Sequence, residues 1–292
     1  MQRIMLIGKN GQLGWELQRT LATLGEVISY DYPKIDLSKP ENLRNIIRNA
    51  APQIIVNAAA YTNVDKAESE TELAQRVNAI APGVMAEEAR RLNAAIIHYS
   101  TDYVFDGKKG SSYVETDAPD PLNTYGKTKL EGELAVKAAG EAYLIFRTSW
   151  VFSLRQGGFV TKVLQWARQQ TTLRIVDDQI GSPTWSRMLA EATAQVIAQG
   201  RNDPVEYLRE KAGLYHLAGA GTASRYEWAR AILELDPHRE EQVMKELLPA
   251  KTSEFPTPAV RPMNTGLDCE LVKLRLSIHE LDLFNQMSLM FI

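Results

Sequence analysis

The segment RIMLIGKNGQLGWELQ, residues 3–18, decides the fold class. A short apolar run is followed by three glycines, Gly8, Gly11 and Gly14, and then by apolar residues at helical spacing. This order predicts a strand, a tight turn and a helix. The GxxGxxG spacing is a variant of the dinucleotide-binding turn, in which the backbone approaches a pyrophosphate at a helix N-terminus. On spacing alone, ordinary turn glycines explain the pattern equally well.

The rest of the first half repeats this alternation of strand and helix. Apolar runs such as QIIVNAA and AAIIHYS alternate with stretches whose apolar residues recur every three or four positions. Such an order predicts an α/β fold, a Rossmann-like doubly wound parallel sheet with helices on both faces. We predict an NAD(P)-binding domain over residues 1–155, to which later segments return, and a smaller, interleaved C-terminal substrate-binding lobe mainly over residues 156–292.

Composition narrows the class of protein. A chain of 292 residues with 45% hydrophobic content can form one large core and a second small one. The net charge of -3 gives no general electrostatic attraction for nucleic acid or an anionic membrane, so we expect neither as a partner. The single cysteine, Cys269, permits no intramolecular disulfide. No signal peptide or long apolar run is evident, and we predict a cytoplasmic protein.

Further candidate cofactor residues follow the second and third predicted strands. Asp31 stands where the dinucleotide motif places a ribose-binding carboxylate, which favours NADH, whereas Lys9 and Lys34 suit the 2′-phosphate of NADPH. Both cofactors stay open. Asp36 and Leu37 stand where they can flank an adenine, although Asp36, or Ser38 beside it, is also a suitable helix cap. The small residues after the third strand allow a ribose and a nicotinamide to approach the backbone; they are Ala58, Ala59 and Ala60.

Hydroxyl groups and a lysine supply the candidate chemistry. Thr101 falls at the carboxyl end of the fourth strand, the edge where parallel sheets bind ligands. Tyr125 and Lys129 lie one helical turn apart further along the chain. A ketone reductase needs a proton donor, and a lysine ammonium within about 4 to 6 Å lowers the pKa of a tyrosine. A Tyr-x-x-x-Lys pair alone is usually part of a solvated helix face. The glycine turn and Thr101 are the features that favour a catalytic interpretation of this pair.

Taken together, these segments resemble the dTDP-4-dehydrorhamnose reductases, extended members of the short-chain dehydrogenase/reductase superfamily. The resemblance runs from residue 1 to about residue 268 and is carried by seven motifs: GKNGQLG, VNAAAYTNVDKAESE, HYSTDYVFDG, PLNTYGKTKLEGE, FRTSWVF, DDQIGSPT and PTPAVRPMNTGLD.

The resemblance implies an NAD(P)H-dependent reductase that acts on the C4 ketone of dTDP-4-dehydro-β-L-rhamnose. It implies Thr101, Tyr125 and Lys129 as the catalytic residues. The matched cofactor-binding positions are Gly11, Gln12, Leu13, Asp31, Asp36, Leu37, Ala60, Tyr61, Thr62, Tyr125 and Lys129, and those lining the sugar pocket are Asp102, Tyr103 and Trp150. From sequence alone, Trp150 is equally a core aromatic. Arg261 has the planar donor geometry for a nucleotide diphosphate, or is an ordinary surface arginine.

Two other functions are compatible with the same scaffold, a dehydratase and a regulatory subunit. A sugar-nucleotide 4,6-dehydratase carries Asp-Glu after the strand-end threonine, but here Asp102 and Tyr103 follow Thr101, so the base for elimination is missing. A non-catalytic regulatory subunit of the same fold could lose the acid, and the intact trio favours catalysis. Reduction of another nucleotide 4-keto-6-deoxysugar stays open.

The sequence also departs from the family pattern. The tail after Asp268 is a poor match to the usual final helices. Some members bind magnesium through helix carboxylates at a dimer contact; Glu16 matches one such position, but Arg187 stands where a second carboxylate is wanted, with Glu191 a turn later. A cation beside a divalent metal is unfavourable. We predict no tightly bound metal and leave a homodimer undecided. His98 is expected to be a hydrogen-bonded strand residue.

Overall fold

A computed structural model describes residues 2–155, 157–200 and 202–291. In the first half the elements run in the order β1 (Arg3–Ile7), α1 (Gln12–Leu21), β2 (Glu26–Tyr30), α2 (Pro40–Ala50), β3 (Ile54–Asn57), α3 (Val64–Ala67), α4 (Thr71–Gln75), α5 (Ala81–Arg91), β4 (Ala95–Thr101), α6 (Thr124–Ala139), β5 (Tyr143–Thr148) and β6 (Val151–Phe152). The second half continues with α7 (Phe159–Gln169), β7 (Thr172–Val176), β8 (Ile180–Gly181), β9 (Thr184–Trp185), α8 (Ser186–Gln199), α9 (Pro204–Glu210), β10 (Gly213–His216), β11 (Ala223–Ser224), α10 (Arg225–Glu234), β12 (Glu246–Ala250), α11 (Glu270–Leu276) and α12 (Leu283–Met290).

The main sheet has six parallel strands within the described residues, in the order β2-β1-β3-β4-β5-β10. Its central strands are apolar on both faces, as expected where helices cover both sides of a parallel sheet. The chain order reverses between β1 and β3, and ligands of such sheets bind at the carboxyl edge of this switch point.

Two hydrophobic cores confirm that helices cover both faces of the sheet. Along β1, Ile4 and Leu6 enter one core, where α1 packs against α8. The alternate residues Met5 and Ile7 enter the other core, which α2 and α5 close. This alternation follows from the two-residue period of a strand, and the predicted doubly wound fold is confirmed.

The long helical stretch between β3 and β4 is interrupted. A π-helical segment, Arg76–Ile80, separates α4 from α5. Its Asn78 is 1% exposed and faces the loop after β3 and the helix α6. Such π segments are rare and often occur at functional sites.

A third hydrophobic cluster lies in the second half of the chain. Its buried members include Phe152, Val163, Trp228, Ile232 and Met287. Three two-stranded pairs, β7 with β12, β6 with β9, and β8 with β11, accompany it within the described residues. Meanwhile α8 and α11 pack on the first core, and β10 pairs with β5. Both halves of the chain therefore contribute to the main sheet and its core.

Candidate active site

The turn after β1 forms a backbone cradle at the start of α1. Gly8 has φ +91°, and a Cβ atom added there would lie 2.7 Å from the backbone nitrogen of Ala59, so only glycine fits. Gly11 is the N-cap of α1 and offers no side chain to its free N–H groups. Donors at a positive helix end, approached by bare backbone, fit the pyrophosphate of a dinucleotide.

A continuous cleft extends from this cradle along the carboxyl edge of the sheet. It comprises two cavities of about 420 and 380 Å³ that share Gly8, Asp31, Ala59 and Ala60. The other predicted cofactor residues line it as well: Gly11, Gln12, Leu13, Ala58, Thr62, Tyr125 and Lys129 in the larger cavity, and Asp36, Leu37 and Tyr61 in the smaller one.

The larger cavity also contains residues that the sequence interpretation missed. The lining includes Thr148, the last residue of β5, and Val151, the first residue of β6, together with Tyr99 and Ser100 of β4. The sequence feature that could have indicated Thr148 and Val151 is that the fifth predicted strand ends at the ligand-binding edge of the sheet. Both residues lie within the FRTSWVF motif, but the motif indicated no role in the cofactor cavity for either.

The two acidic residues of the cleft are held by the backbone. Asp31 accepts hydrogen bonds from the N–H groups of Asn10 and Tyr32, both at 2.8 Å, and so ties the glycine turn to the end of β2. Asp36 accepts from the hydroxyl and the N–H of Ser38 at 2.6 and 3.0 Å, and the hydroxyl contact in particular lowers the pKa of Asp36. The N-cap of α2 is the lysine that follows Ser38, so the helix-cap explanation of these residues is wrong.

Thr101 and Tyr125 meet where β4 ends above the start of α6. Asn123 caps this helix by accepting the N–H of Gly126 at 2.8 Å, which fixes Tyr125 in the first turn. The Tyr125 ring packs edge-on against Tyr103, with centroids 5.8 Å apart. Burial raises the pKa of Tyr125, while a hydrogen bond with the Thr101 hydroxyl opposes the shift. The phenol is therefore protonated at neutral pH and can donate a proton.

Lys129 lies one turn beyond Tyr125 and is 2% exposed. Its Nζ donates to the carbonyl of Tyr99 at 2.6 Å and lies 3.4 Å from Nε2 of His98. Burial lowers the pKa of Lys129 to about 8, and the carboxylate of Glu133 acts in the opposite direction. The expectation that this ammonium lowers the pKa of Tyr125 is wrong for this arrangement, because Nζ is directed at the β4 backbone.

The protonation of His98 follows from its neighbours. Oδ1 of Asn57 accepts the N–H of Ala59 at 3.2 Å, so the Asn57 amide group donates to Nδ1 of His98 at 3.0 Å. Burial lowers the pKa of His98 well below its usual value. The ring is therefore neutral, carries its proton on Nε2 and directs an N–H at Lys129. His98 is the hydrogen-bonded strand residue that the sequence predicts, but it also contacts the lysine.

Asn78 of the π segment joins the cofactor cleft to α6, and no sequence motif indicates this role. Its Oδ1 accepts the N–H of Tyr61 at 2.8 Å, and its Nδ2 donates to the Tyr61 carbonyl at 3.1 Å and to the Thr128 hydroxyl at 3.2 Å. The loop after β3 is thus tied to the helix that carries Tyr125 and Lys129.

Asp102, one of the predicted sugar-pocket residues, is 2% exposed. Its carboxylate accepts hydrogen bonds from Ser149 at 2.8 Å, Thr265 at 2.5 Å and Thr101 at 3.1 Å. Burial raises the pKa of Asp102, and these hydroxyls lower it. The carboxylate joins three segments around Thr101, and its contact with a sugar stays a prediction.

Two further predicted substrate residues have charged neighbours. Trp150 has φ +45°, and its ring lies 3.5 Å from the Arg225 guanidinium carbon and 5.7 Å from the Trp228 ring. Arg261 forms an ion pair with Asp65, with nitrogen and oxygen 2.8 Å apart. Arg261 is therefore not an unpaired surface arginine.

Arg187 occupies the place considered for a metal. Its Nε lies 2.9 Å from a carboxylate oxygen of Glu191. This contact raises the pKa of Arg187, and Glu16 acts in the same direction. A guanidinium thus sits near both carboxylates, which supports the prediction that this position takes no metal.

Comparisons with known proteins agree with this geometry. The family model described as RmlD substrate binding domain matches residues 1–287, so the likeness extends past Asp268, where the sequence interpretation ended it. The chain is 43% identical to the dTDP-4-dehydrorhamnose reductase of Burkholderia thailandensis over 285 residues, which cover 94% of this chain and 93% of that protein.

Solved structures give the same result. A dTDP-4-dehydrorhamnose reductase from Clostridium acetobutylicum matches with a TM-score of 0.90 and 33% identity over 99% of this chain and 98% of that one. The Bacillus anthracis dTDP-4-dehydrorhamnose reductase in complex with NADP matches with a TM-score of 0.88 and 30% identity, covering 100% and 99% of the two chains. Among the described residues, no helix has the length and apolar character needed to cross a membrane.

Proposed function

This chain belongs to the RmlD substrate binding domain family, and we propose that it is a dTDP-4-dehydrorhamnose reductase. It reduces the C4 ketone of dTDP-4-dehydro-β-L-rhamnose to dTDP-L-rhamnose, a donor for surface polysaccharides. The observation that carries the proposal is that Tyr125 and Lys129 line the same cavity as the glycine cradle, with Thr101 acting on the Tyr125 phenol.

Each residue of the trio has a role that its surroundings support. Tyr125 gives its phenolic proton to the C4 oxygen, and its raised pKa keeps that proton available. The Thr101 hydroxyl donates to Asp102 at 3.1 Å. Rotation of this hydroxyl toward the substrate lets it donate to the carbonyl beside Tyr125 and orient it. Lys129 lines the cofactor cavity and holds the ribose hydroxyls of the nicotinamide end.

A nicotinamide cofactor fits the cleft. When bound, it supplies the hydride. We propose that the glycine cradle receives its pyrophosphate, that Asp31 faces the adenosine ribose, and that Asp36 and Leu37 flank the adenine. The B. anthracis relative in complex with NADP supports NADPH, whereas the carboxylate of Asp31 favours NADH. Comparison of the two cofactors in one assay decides between them.

Three predictions from the sequence are also part of the proposal: the division into two domains, the location in the cell and a possible homodimer. The division into residues 1–155 and 156–292 is supported by the separate third cluster. A cytoplasmic location is supported by the single, buried cysteine. Whether the chain forms a homodimer is left open, and light scattering of the purified protein tests it.

The test follows nicotinamide absorbance with dTDP-4-dehydrorhamnose, for wild type and Tyr125→Phe. We expect the wild type to oxidise the cofactor, and the variant to bind the cofactor normally but to turn over about 10²- to 10⁴-fold more slowly. A wild type that binds cofactor and oxidises none would instead support the regulatory subunit. Equal rates in both proteins would remove the role given to Tyr125, and faster reduction of another dTDP-4-keto-6-deoxysugar would change the substrate.

A further inference from the structure

A row of buried hydrogen bonds joins the loop after β3 to Lys129. Asn57, the last residue of β3, lies beside His98 of β4 in the sheet register. Its side-chain amide contacts the backbone nitrogen of Ala59 at 3.2 Å and Nδ1 of His98 at 3.0 Å, and Nε2 of His98 lies 3.4 Å from Nζ of Lys129. Asn57 is 0% exposed and His98 is 1% exposed. The proposed reaction uses neither of them.

Both ends of this row lie at the cofactor cleft. Ala59 lines both of its cavities, and Lys129 lines the larger one. Asn57 and His98 lie behind the wall of the cleft, between these two points. His98 can therefore act on a bound molecule only through Lys129, which makes it a candidate for a positioning residue.

The direction of each hydrogen bond in the row is set by the loop. A reversed Asn57 amide would place its NH₂ group 3.2 Å from the N–H of Ala59, donor against donor. The amide oxygen therefore accepts from Ala59, and the NH₂ group donates to Nδ1 of His98. Since burial lowers the pKa of His98 well below its usual value, the ring is neutral and its proton is on Nε2, facing Lys129.

The groups around Nζ of Lys129 match a neutral amine better than an ammonium. Nζ donates to the carbonyl of Tyr99 at 2.6 Å and faces the Nε2–H of His98. An ammonium has three donors and no acceptor, so the His98 N–H opposes it. A neutral amine keeps two donors and has one lone pair, which can accept that N–H. One acceptor and one donor beside Nζ thus favour loss of the lysine proton.

The charged and titratable neighbours of Lys129 act in both directions. Within the residues that the structure describes, Glu133 is the carboxylate that acts on it, and this carboxylate favours the ammonium. Arg147 of β5 already donates to both Glu133 oxygens, at 2.8 and 2.7 Å, and balances much of that charge. Tyr125, one turn before the lysine, is a neutral phenol. Burial lowers the pKa of Lys129 to about 8, and the N–H of His98 acts in the same direction as burial.

We propose that His98 is a positioning residue for Lys129, that Asn57 fixes the His98 proton on Nε2, and that this N–H favours the neutral amine of the lysine. Lys129 is then charged at neutral pH but loses its proton at a lower pH than an ordinary lysine. The affinity for NADPH, an anion, falls over the same range of pH. This consequence for the cofactor rests on the proposed function, whereas the lysine titration can be measured without any turnover.

The experiment titrates the full chain, labelled with ¹³C at the lysine ε-carbons, by NMR. Lys129→Met identifies the Lys129 signal by its absence. In His98→Gln, the amide can turn its oxygen toward Nζ, so the Lys129 titration should move up by about one pH unit or more. The control is His216→Gln. His216 is 0% exposed and lies on the same sheet, but its Nδ1 contacts the carbonyl of Tyr113 at 3.0 Å; it should move the titration by less than about 0.3 unit.

Asn57 is tested by a second variant and by the wild-type protein. Asn57→Ala removes the donor to Nδ1, so the proton can move there and leave the Nε2 lone pair to accept from the ammonium. The Lys129 titration should again move up, and Asn57→Ala should add nothing further in the His98→Gln background. The tautomer of His98 is read from a long-range proton–nitrogen spectrum of histidine-labelled wild type, where we expect the proton on Nε2. This spectrum decides the matter even if the variants fail to fold.

NADPH titrations from pH 7 to pH 10 measure the consequence for the cofactor. The wild-type affinity should fall about tenfold across the Lys129 titration, because a charge-assisted contact is lost. In His98→Gln this fall should move to higher pH. An NADPH affinity with the same pH dependence in both proteins would remove the proposed link between His98 and the cofactor.

A Lys129 titration that His98→Gln leaves in place, or that His216→Gln moves equally, would overturn the proposal. A wild-type His98 proton on Nδ1 would overturn it as well. If the titration moves as expected but the wild type reduces no dTDP-sugar, the reductase is refuted and this arrangement stands. Reduction of dTDP-4-dehydrorhamnose by a protein whose lysine titration does not respond to His98 would do the reverse.

Discussion

Replacing Lys129 by methionine should stabilise the fold while removing a residue of the proposed catalytic trio. The ammonium is 2% exposed, and burial lowers its pKa from 10.5 to about 8. A pKa lowered on folding means that the native state disfavours the charged form, so the lysine destabilises the protein wherever it must be protonated. Below pH 8 this cost is about 3 kcal/mol, from about 1.4 kcal/mol per pKa unit.

The cost depends on pH in a defined direction. Between the folded value near 8 and the unfolded value of 10.5, the unfolded chain binds more protons than the native one, so wild-type stability rises with pH. From pH 7 to pH 10 the unfavourable contribution of the lysine to stability should shrink by about 2 to 3 kcal/mol. Methionine does not titrate and has a similar length, but it loses the hydrogen bond to the Tyr99 carbonyl, worth about 1 kcal/mol.

We therefore expect Lys129→Met to be about 1 to 2 kcal/mol more stable than wild type at pH 7 and to lose this advantage by pH 10. The assay is equilibrium urea unfolding followed by tryptophan fluorescence at several pH values and fixed ionic strength. Other titrating groups are common to both proteins and cancel in the difference. Lys127→Met is the matched control, because Lys127 is exposed on the same helix and should change stability by less than about 0.5 kcal/mol at every pH. A stability difference for Lys129→Met that stays constant from pH 7 to 10, or grows with pH, would refute this account of the buried lysine.

Three further substitutions test the cleft and its support. Gly14→Ala places Cβ 1.9 Å from the Gly8 carbonyl oxygen, so it should weaken NADPH binding at least about tenfold relative to wild type, measured by fluorescence titration. Asp31→Ser removes a carboxylate near the ribose and should shift the ratio of kcat/KM values about tenfold toward NADPH; an unchanged ratio would mean that Asp31 only braces the turn. Glu133→Gln breaks a fully buried ion pair and should cost about 3 to 5 kcal/mol in urea unfolding, whereas Glu191→Gln at an exposed pair should cost less than about 1 kcal/mol.

The cofactor half of the site was predictable because its signals are local. Gly8, Gly11 and Gly14 lie within one turn, and the turn follows a strand that the apolar pattern also indicates. Tyr125 and Lys129 are one helical turn apart, and helix geometry alone places them on one side. Even the smaller cavity follows from the sequence, since Asp36 and Leu37 come soon after β2.

Other features depend on contacts between distant segments and have no local signal. The direction of Lys129 is set by the Tyr99 carbonyl and by His98, which sit on a neighbouring strand. Asn78 makes its hydrogen bonds to Tyr61 and Thr128 from a π segment, which interrupts a stretch that otherwise has ordinary helical periodicity. Arg225 begins a helix of the second half, far along the chain from the residues of β4 and α6.

Charged side chains are buried at the interface between β4, β5 and α6. The free-energy cost of burying them depends on whether each charge has a partner of opposite sign. Glu133 and Arg147 pair through two contacts, Nε at 2.8 Å and a second nitrogen at 2.7 Å, and Ser100 adds a third hydrogen bond to the carboxylate at 2.6 Å. These charges compensate one another, so they hold the helix to the sheet. Lys129, on the same helix, donates instead to a backbone carbonyl and faces the N–H of a neutral histidine. Neither group balances its charge, and the nearby Glu133 carboxylate offsets it only in part. The buried Glu133–Arg147 pair therefore fixes the position of α6 against the sheet. Lys129, at the cofactor cleft, remains a buried cation without a full partner. We expect Lys129 to gain a further partner when an electronegative group of the cofactor or substrate approaches, so that part of its cost to folding is returned as binding.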